Sequence, residues 1–357
     1  MSLWVDKHRP QQLSKLTLHA AVTNKLLALA GSEEIPHLLF YGPPGSGKKT
    51  RVMALLREIY GSGVEKVKLE HRSFTVSSSK TIEVTTLGSN YHIECNPSDA
   101  GNSDRFVIQE VIKEIASHGS INAVNANSKG FKVVVLTEVD KLSKQAQAGL
   151  RRTMEKFSQQ CRIILICNSP SKIIEPVRSR CLGVRVPAAS LEEIAQLLLS
   201  TASKEKCQCP EELAKRIATS CDRNLRRALL MLEASKVQSG GKQILPDAPV
   251  QLPDWEQYIT KLAKEIMQEQ SPAKLLAARD MLYELLTNCI PADVIIQTLT
   301  RQLMKSLDDQ LKHELAFWAA YYEHRLRRGS KEIFHLEAYV AKFMSIYKKW
   351  LVSNLDF

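Results

Sequence analysis

The sequence predicts an α/β domain, a parallel sheet with helices on both faces, followed by a small helical domain and a third, all-helical domain. Three observations lead to this. Unbroken apolar runs, such as Val133-Val134-Val135-Leu136 and Arg162 to Cys167, alternate with helical segments over the first half of the chain. That is the pattern of strands buried on both faces and joined by crossover helices. The first apolar run, His37-Leu38-Leu39-Phe40-Tyr41, leads straight into Gly42-Pro43-Pro44-Gly45-Ser46-Gly47-Lys48-Lys49-Thr50 and a helix-compatible segment, Arg51 to Tyr60. This is the strand, loop and helix order of a P-loop. After Pro187 the strand signals stop and helical periodicity runs to the end.

Taken in order, a helix is expected from about His19 to Ala30, before the P-loop strand and helix. Lys66 to Thr86 alternates polar and apolar residues around Ser77-Ser78-Ser79-Lys80 and reads as an inserted β-hairpin decorating the core. Tyr91 to Cys95 is the next strand. Asn96-Pro97-Ser98-Asp99 is a turn and cap leading to a helix from about Asp104 to His118, and 119–130 is a polar loop. The strand Val133–Leu136, a helix from about Lys144 to Phe157, the strand Arg162–Cys167 and a short strand Gly183–Val186 close the domain at about residue 187. Leu191–Ser203, Pro210–Cys221 and Asn224–Val237 form the second domain, 188–245. A linker rich in Gly and Pro follows. The third domain, 252–357, holds helices at about Trp255–Gln268, Pro272–Asn288, Pro291–Leu307, Leu311–Arg328 and Lys331–Trp350.

The chain has 357 residues, enough for two or three cored domains, with 44% hydrophobic and 24% charged residues. No apolar run approaches the ~20 residues of a membrane span. The start, Met1-Ser2-Leu3-Trp4-Val5-Asp6-Lys7, does not read as a signal peptide, so a cytosolic or nuclear protein is expected. The eight scattered cysteines lack zinc spacing and read as reduced, mostly core, residues. A formal net charge of +11 favours a polyanionic partner.

The P-loop sets the chemistry. Its glycines let backbone N–H groups face phosphate oxygens, the helix start adds its positive end, and Lys48 reaches the outer phosphates. The residue after the lysine ordinarily carries a hydroxyl that ligates Mg²⁺. Here it is Lys49, with Thr50 one residue and ~100° late. The acidic strand end that completes such a site reads Thr137-Glu138. Glu138 can activate water, but Thr137 stands where a metal-holding Asp belongs. An inward-pointing Lys49 would repel the metal by ~4 kcal/mol per charge pair at ~4 Å. The alternative is that Lys49 faces solvent and Mg²⁺ binds through water and phosphates alone. The expectation is a site that binds ATP or ADP and hydrolyses weakly or not at all, with Mg²⁺ in doubt and no residue assigned to a metal. Asn168, ending the next strand, can touch the outer phosphate. Arg180, at the domain edge, is a candidate to supply charge to a transferring phosphoryl group, and Arg226 and Arg227, at a helix start in the second domain, are candidates to reach a bound phosphate.

These pieces resemble the small subunits of replication factor C, the eukaryotic sliding-clamp loader, within the AAA+ ATPases. Trp4-Val5-Asp6-Lys7-His8-Arg9-Pro10 is similar to that family's N-terminal signature, with His8 for the usual Tyr. Ala148 to Glu155 is similar to its A-L-R-R-T-M-E helix, Ser179-Arg180-Cys181 to its S-R-C motif, and Arg223 to Ala228 to its sensor-two helix. Lys49 and Thr137 resemble the third small subunit in particular, as do Asn96 to Asn102, the inserted hairpin and Ala319 to Arg325. The resemblance implies an AAA+ P-loop domain, a helical lid and a helical collar that joins five different subunits. It implies nucleotide contacts from Val5, Arg9, Pro10, residues 42–50, Asn168 and Arg226. Arg180 would reach the nucleotide of a neighbouring subunit. The implied partners are one large and three other small subunits, the sliding clamp and primer–template DNA, in the nucleus and not at a membrane. Candidate DNA contacts are Asn102, Arg105, Lys113 and Lys172, serving replication and repair. The alternative is a scaffold subunit that keeps nucleotide as structural glue. A free-standing chaperone or helicase fits poorly, since the third domain reads as a collar.

Overall fold

A computed structural model describes the chain apart from residues 1, 33, 78–79, 118–130, 159, 241–243, 246–247 and 356–357. The expected loop 119–130, residue 118 of the preceding helix and the tip of the hairpin therefore lie outside the described residues. The chain divides into two compact units, Met1–Gln251 and Leu252–Phe357.

The first unit is built on a sheet of strands β1 (Leu38–Tyr41), β2 (Lys68–Ser77), β3 (Lys80–Gly88), β4 (His92–Cys95), β5 (Lys132–Leu136), β6 (Cys161–Cys167) and β7 (Leu182–Arg185). Among the described residues the spatial order is β2-β3-β4-β5-β6-β1-β7. From β4 to β7 every pairing is parallel. The unbroken apolar runs have a simple cause. Leu39, Val134, Ile163 and Leu165 pack on one face of the sheet. Their neighbours Leu38, Phe40, Val133, Val135, Ile164 and Ile166 pack on the other. Both faces are dry, and each such side chain contributes about 1.5–3 kcal/mol.

The hairpin does more than decorate. β3 pairs antiparallel with β4, so β2 and β3 extend the sheet. The edges of other elements shift by a few residues from the expected ones. β6 begins at Cys161 and β7 at Leu182, because ladder pairing with β5 and β1 reaches those residues. The helices Leu191–Lys204, Glu211–Ser220 and Leu225–Gln238 complete this unit; Ser190 closes a capping box with Glu193 at the start of the first.

The second unit is helical: Asp254–Gln268, Pro272–Thr287, Ala292–Met304, Asp309–Leu326 and Glu332–Leu355. The third of these ends before the expected Leu307 and the last runs beyond Trp350. Ile259, Leu262, Leu282, Leu299, Leu336 and Val340 belong to its core. The buried Thr300 and Tyr339 hydroxyls lie 2.7 Å apart, which satisfies both inside that core.

Candidate nucleotide-binding site

The P-loop follows β1, and the segments after β5 and β6 end beside it, at the carboxyl ends of adjacent parallel strands, where open α/β sheets form their ligand crevice. A cavity of about 380 Å³ opens there. Its wall carries Gly45, Gly47, Lys48, Lys49 and Thr50 from the loop and the helix Lys48–Tyr60, with Thr137, Glu138 and Asp140 after β5 and Asn168 after β6. Val5, Arg9 and Pro10 come from the N-terminal segment and Arg226 from the helix Leu225–Gln238. Pro44 also lines it. Gly42, Pro43 and Ser46 do not: the first two act through their carbonyls, and Ser46 lies buried beneath the loop with no hydrogen-bond partner for its Oγ.

Lys48 is buried, and burial pulls its pKa below the ordinary value. Its ammonium donates to Gly42 O at 2.7 Å, Pro43 O at 2.8 Å and Asn168 Oδ1 at 3.0 Å. A lysine has three donors, and all are engaged. The loop can fold this tightly only with glycine. Gly45 has φ +73°, and a Cβ there would lie 1.8 Å from Asn224 Oδ1. Asn224 also caps the helix Leu225–Gln238 by accepting from Arg227 N, so the helix carrying Arg226 begins against the loop.

The two replaced positions have definite partners. Lys49 does not aim its charge at the loop. Its ammonium pairs with Glu94 on β4, whose carboxylate is nearly buried. The repulsion expected of an inward lysine is thereby largely offset. Nor is Lys49 simply turned to solvent, because the carboxylate on the penultimate residue of β4 takes it. Glu94 carried no signal in the sequence, since only the sheet order brings β4 near the P-loop helix. Beside it, His92 is buried with Nδ1 2.7 Å from Ser89 Oγ. Burial first, then the charge of Lys49, lowers its pKa to about 4. Thr137 donates from both N and Oγ1 to Cys95 O, at 3.1 and 3.3 Å.

Glu138 sits in the left-handed region, φ 55° and ψ 37°, and pairs with Lys141 at 2.9 Å. A non-glycine residue held there is strained by ~1–3 kcal/mol, a feature concentrated at functional sites. Asp140, which closes the acidic stretch Thr137-Glu138-Val139-Asp140 and has no role by sequence, lines the cavity with its Oδ1 buried and without a hydrogen-bond partner. Burial, then the charge of Asp140, pushes the Cys167 thiol up to about 12, against Lys48. Among the described residues no three His, Cys, Asp or Glu side chains gather as a metal cage. Mg²⁺ carried by a nucleotide needs only one or two carboxylates beside phosphate oxygens; Asp140 fits that requirement, whereas Glu138 is paired with Lys141.

His8 Nε2 and Lys7 Nζ both meet Glu205 Oε1, while Trp4 N donates to Glu233 Oε2 at 3.1 Å. The N-terminal signature is thus strapped to the helices after β7. Leu197 and Thr201, and Leu225 and Leu229, line the same cavity at one-turn spacing. That spacing was visible in the sequence but reads equally as core.

Arg180 stands apart from this cavity. Its Nε donates to Glu155 Oε1 at 2.8 Å and a terminal nitrogen donates to Pro176 O at 2.7 Å. Arg105 and Lys113 are exposed on the helix Asp104–Ser117, and Lys113 lies 3.7 Å from Glu110. Lys172 is exposed on the turn Pro170–Lys172. Asn102 lies in the turn Pro97–Ser103, before the same helix. Its side chain is outside what the structure describes. Asp104 accepts from Ser143 N and Oγ at 2.7 and 2.9 Å, which fixes the start of that helix on the helix Lys144–Lys156.

Sequence comparison matches residues 38–186 to the ATPase family associated with various cellular activities, 196–237 to the RCF1/5-like AAA+ ATPase lid domain, and 255–351 to the replication factor C subunit 3 C-terminal domain. The chain is 53% identical to replication factor C subunit 3 of Arabidopsis thaliana over 99% of both chains. It is 52% identical to replication factor C subunit 3 of Homo sapiens over 100% of this chain and 99% of that one. It is 47% identical to replication factor C subunit 5 of Schizosaccharomyces pombe over 97% and 96%. The Thermotoga maritima RuvB Holliday junction branch migration motor superposes with a TM-score of 0.52 at 16% identity, over 84% of this chain and 91% of that one, a likeness of fold. With its P-loop, lid and C-terminal helices all matched, the chain belongs to the AAA+ ATPases and, within them, to the replication factor C small-subunit family on the side of subunit 3.

Proposed function

We propose that this chain is a small subunit of a heteropentameric clamp loader which, with ATP, opens a sliding clamp and loads it on primer–template DNA for replication and repair in the nucleus. In this reading, 1–187 binds nucleotide, 188–245 is the lid and 252–357 joins the collar. The chain's own site holds ATP or ADP with little hydrolysis, and its arginine serves a neighbour.

The observation that carries this reading is the separation of two functions on one surface. The loop, Lys48, Asn168 and Arg226 gather around one cavity, whereas Arg180 lies outside it, tethered at the surface by Glu155. An arginine that cannot serve its own nucleotide is available to another subunit's. Two contacts support weak hydrolysis: Thr137, at the metal position, is bonded to Cys95 O and offers no carboxylate, and Glu138, the candidate base, is engaged by Lys141. Bound Mg²⁺ would supply neutralisation of phosphate charge. Lys48 and the loop N–H groups would orient the phosphates, and the apolar cavity wall would exclude water.

The test is the assembled pentamer with Arg180→Ala or Lys48→Ala. Arg180→Ala should cut ATP turnover by about 10³-fold at the site it completes, with nucleotide still bound by this chain. Lys48→Ala should empty this chain's own site. A loading rate indifferent to Arg180→Ala would overturn the arginine's role, and failure to co-purify with the other subunits would overturn the assembly. The alternative, a scaffold that keeps nucleotide as structural glue, is favoured by the partners of Lys49 and Thr137. It requires Arg180→Ala to be silent.

A further inference from the structure

We propose that Asp140 is the residue through which this chain holds the Mg²⁺ of its bound nucleotide, directly or through one water, in place of the carboxylate that Thr137 lacks. The inference rests on the nucleotide-binding reading above.

Glu94, Glu138 and Asp140 stand at or beside the carboxyl ends of β4 and β5, and the first two are already answered. Glu94 is paired with Lys49 and Glu138 with Lys141. Asp140 lies in the single turn Val139–Lys141 on the wall shared with Lys48, Thr50 and Thr137. Its Oδ1 is buried with no donor. Buried carboxylate oxygens normally have hydrogen-bond partners, and an unanswered one needs a nearby cation. Lys48 is the obvious candidate, but its three donors are on Gly42 O, Pro43 O and Asn168 Oδ1. It contributes field and no bond. Mg²⁺ prefers hard oxygens and completes its shell with phosphates and water. A lone carboxylate beside a phosphate cradle suits that pattern. The turn that ends in Lys141 thus replaces, three residues on, the group missing from the strand end.

Full-length chain is titrated with ATP in excess EDTA and in excess Mg²⁺, before and after Asp140→Asn. The expected result has two signs. In Mg²⁺ the affinity falls by about tenfold or more, the scale of lost metal-site support. In EDTA it stays the same or rises, because a negative group has been removed from beside the phosphates. Asp140→Cys should transfer the metal preference, so that Cd²⁺ tightens ATP binding more than Mg²⁺ does. Equal loss in both buffers marks Asp140 as a structural neighbour of Lys48 and overturns the inference. So does an Asp140→Cys chain that still prefers Mg²⁺, or an unmodified chain whose ATP affinity ignores Mg²⁺. An unmodified chain that binds no ATP in either buffer overturns the nucleotide reading as well.

Discussion

Lys49 on the P-loop helix and Glu94 on β4 form an ion pair, with the lysine partly exposed and the carboxylate only 10% exposed. The residue that departs from the usual P-loop pattern therefore arrives with its counter-charge. Lys49→Met leaves Glu94 charged and poorly solvated, which should cost about 1–3 kcal/mol. Adding Glu94→Gln should recover most of it. Urea unfolding of both single variants and the double gives the coupling, expected at ~1 kcal/mol; strictly additive losses would contradict the pairing.

Lys49→Thr together with Thr137→Asp should restore hydroxyl and carboxylate at the two altered positions. Turnover at this subunit's site, read in the assembled complex as the part abolished by Lys48→Ala, should rise about tenfold, equivalent to ~1.4 kcal/mol off the barrier. Each single change should do less, since Lys49 without Glu94's full attention would pair with the new Asp. No gain from the double variant would locate the defect elsewhere.

His92 provides an acid-sensitive point beneath the same ion pair. Its folded pKa is about 4 against an ordinary 6.5, through burial and then Lys49. Between those values the unfolded chain takes up a proton that the folded chain refuses. The stability is therefore complete above about pH 6.5 and is lost as pH falls toward 4, on the order of 3 kcal/mol in full. Melting temperatures from about pH 7 to 4.5 should show this slope. His92→Gln should flatten it, and an unchanged profile would rule out His92 as its source.

Arg105 and Lys113 are exposed cations on the helix that starts at the partly buried Asp104–Ser143 bracket, and Lys172 is exposed on the turn Pro170–Lys172. Under the proposed function they follow a phosphate backbone. Each change to Ala should reduce the slope of log K against log salt by up to ~1, with no change in preference between DNA sequences. Titrations of the assembly with primer–template DNA at several salt concentrations measure it, and an unchanged slope removes that residue from the interface.

The P-loop was legible because a phosphate cradle is local. Gly42 to Lys48 carry their purpose in seven consecutive residues, and the flanking strand and helix announce themselves by period. The alternation of apolar runs and helices likewise declared a parallel sheet, since Val133 to Leu136 can be so uniformly apolar only if both faces are covered. Strand order was not legible. β4 carries Glu94 to Lys49, the hairpin joins the sheet through β3, and Asp140 is left facing the cavity because of pairings between residues far apart in the chain. Spacing along a sequence records which groups share a helix face or a strand edge. It does not record which carboxylate answers which ammonium across a sheet, because that choice belongs to the packing of the assembled layers. The sequence alone determined that there is a phosphate-binding loop with two altered metal positions; the tertiary structure alone decided what stands opposite each of them.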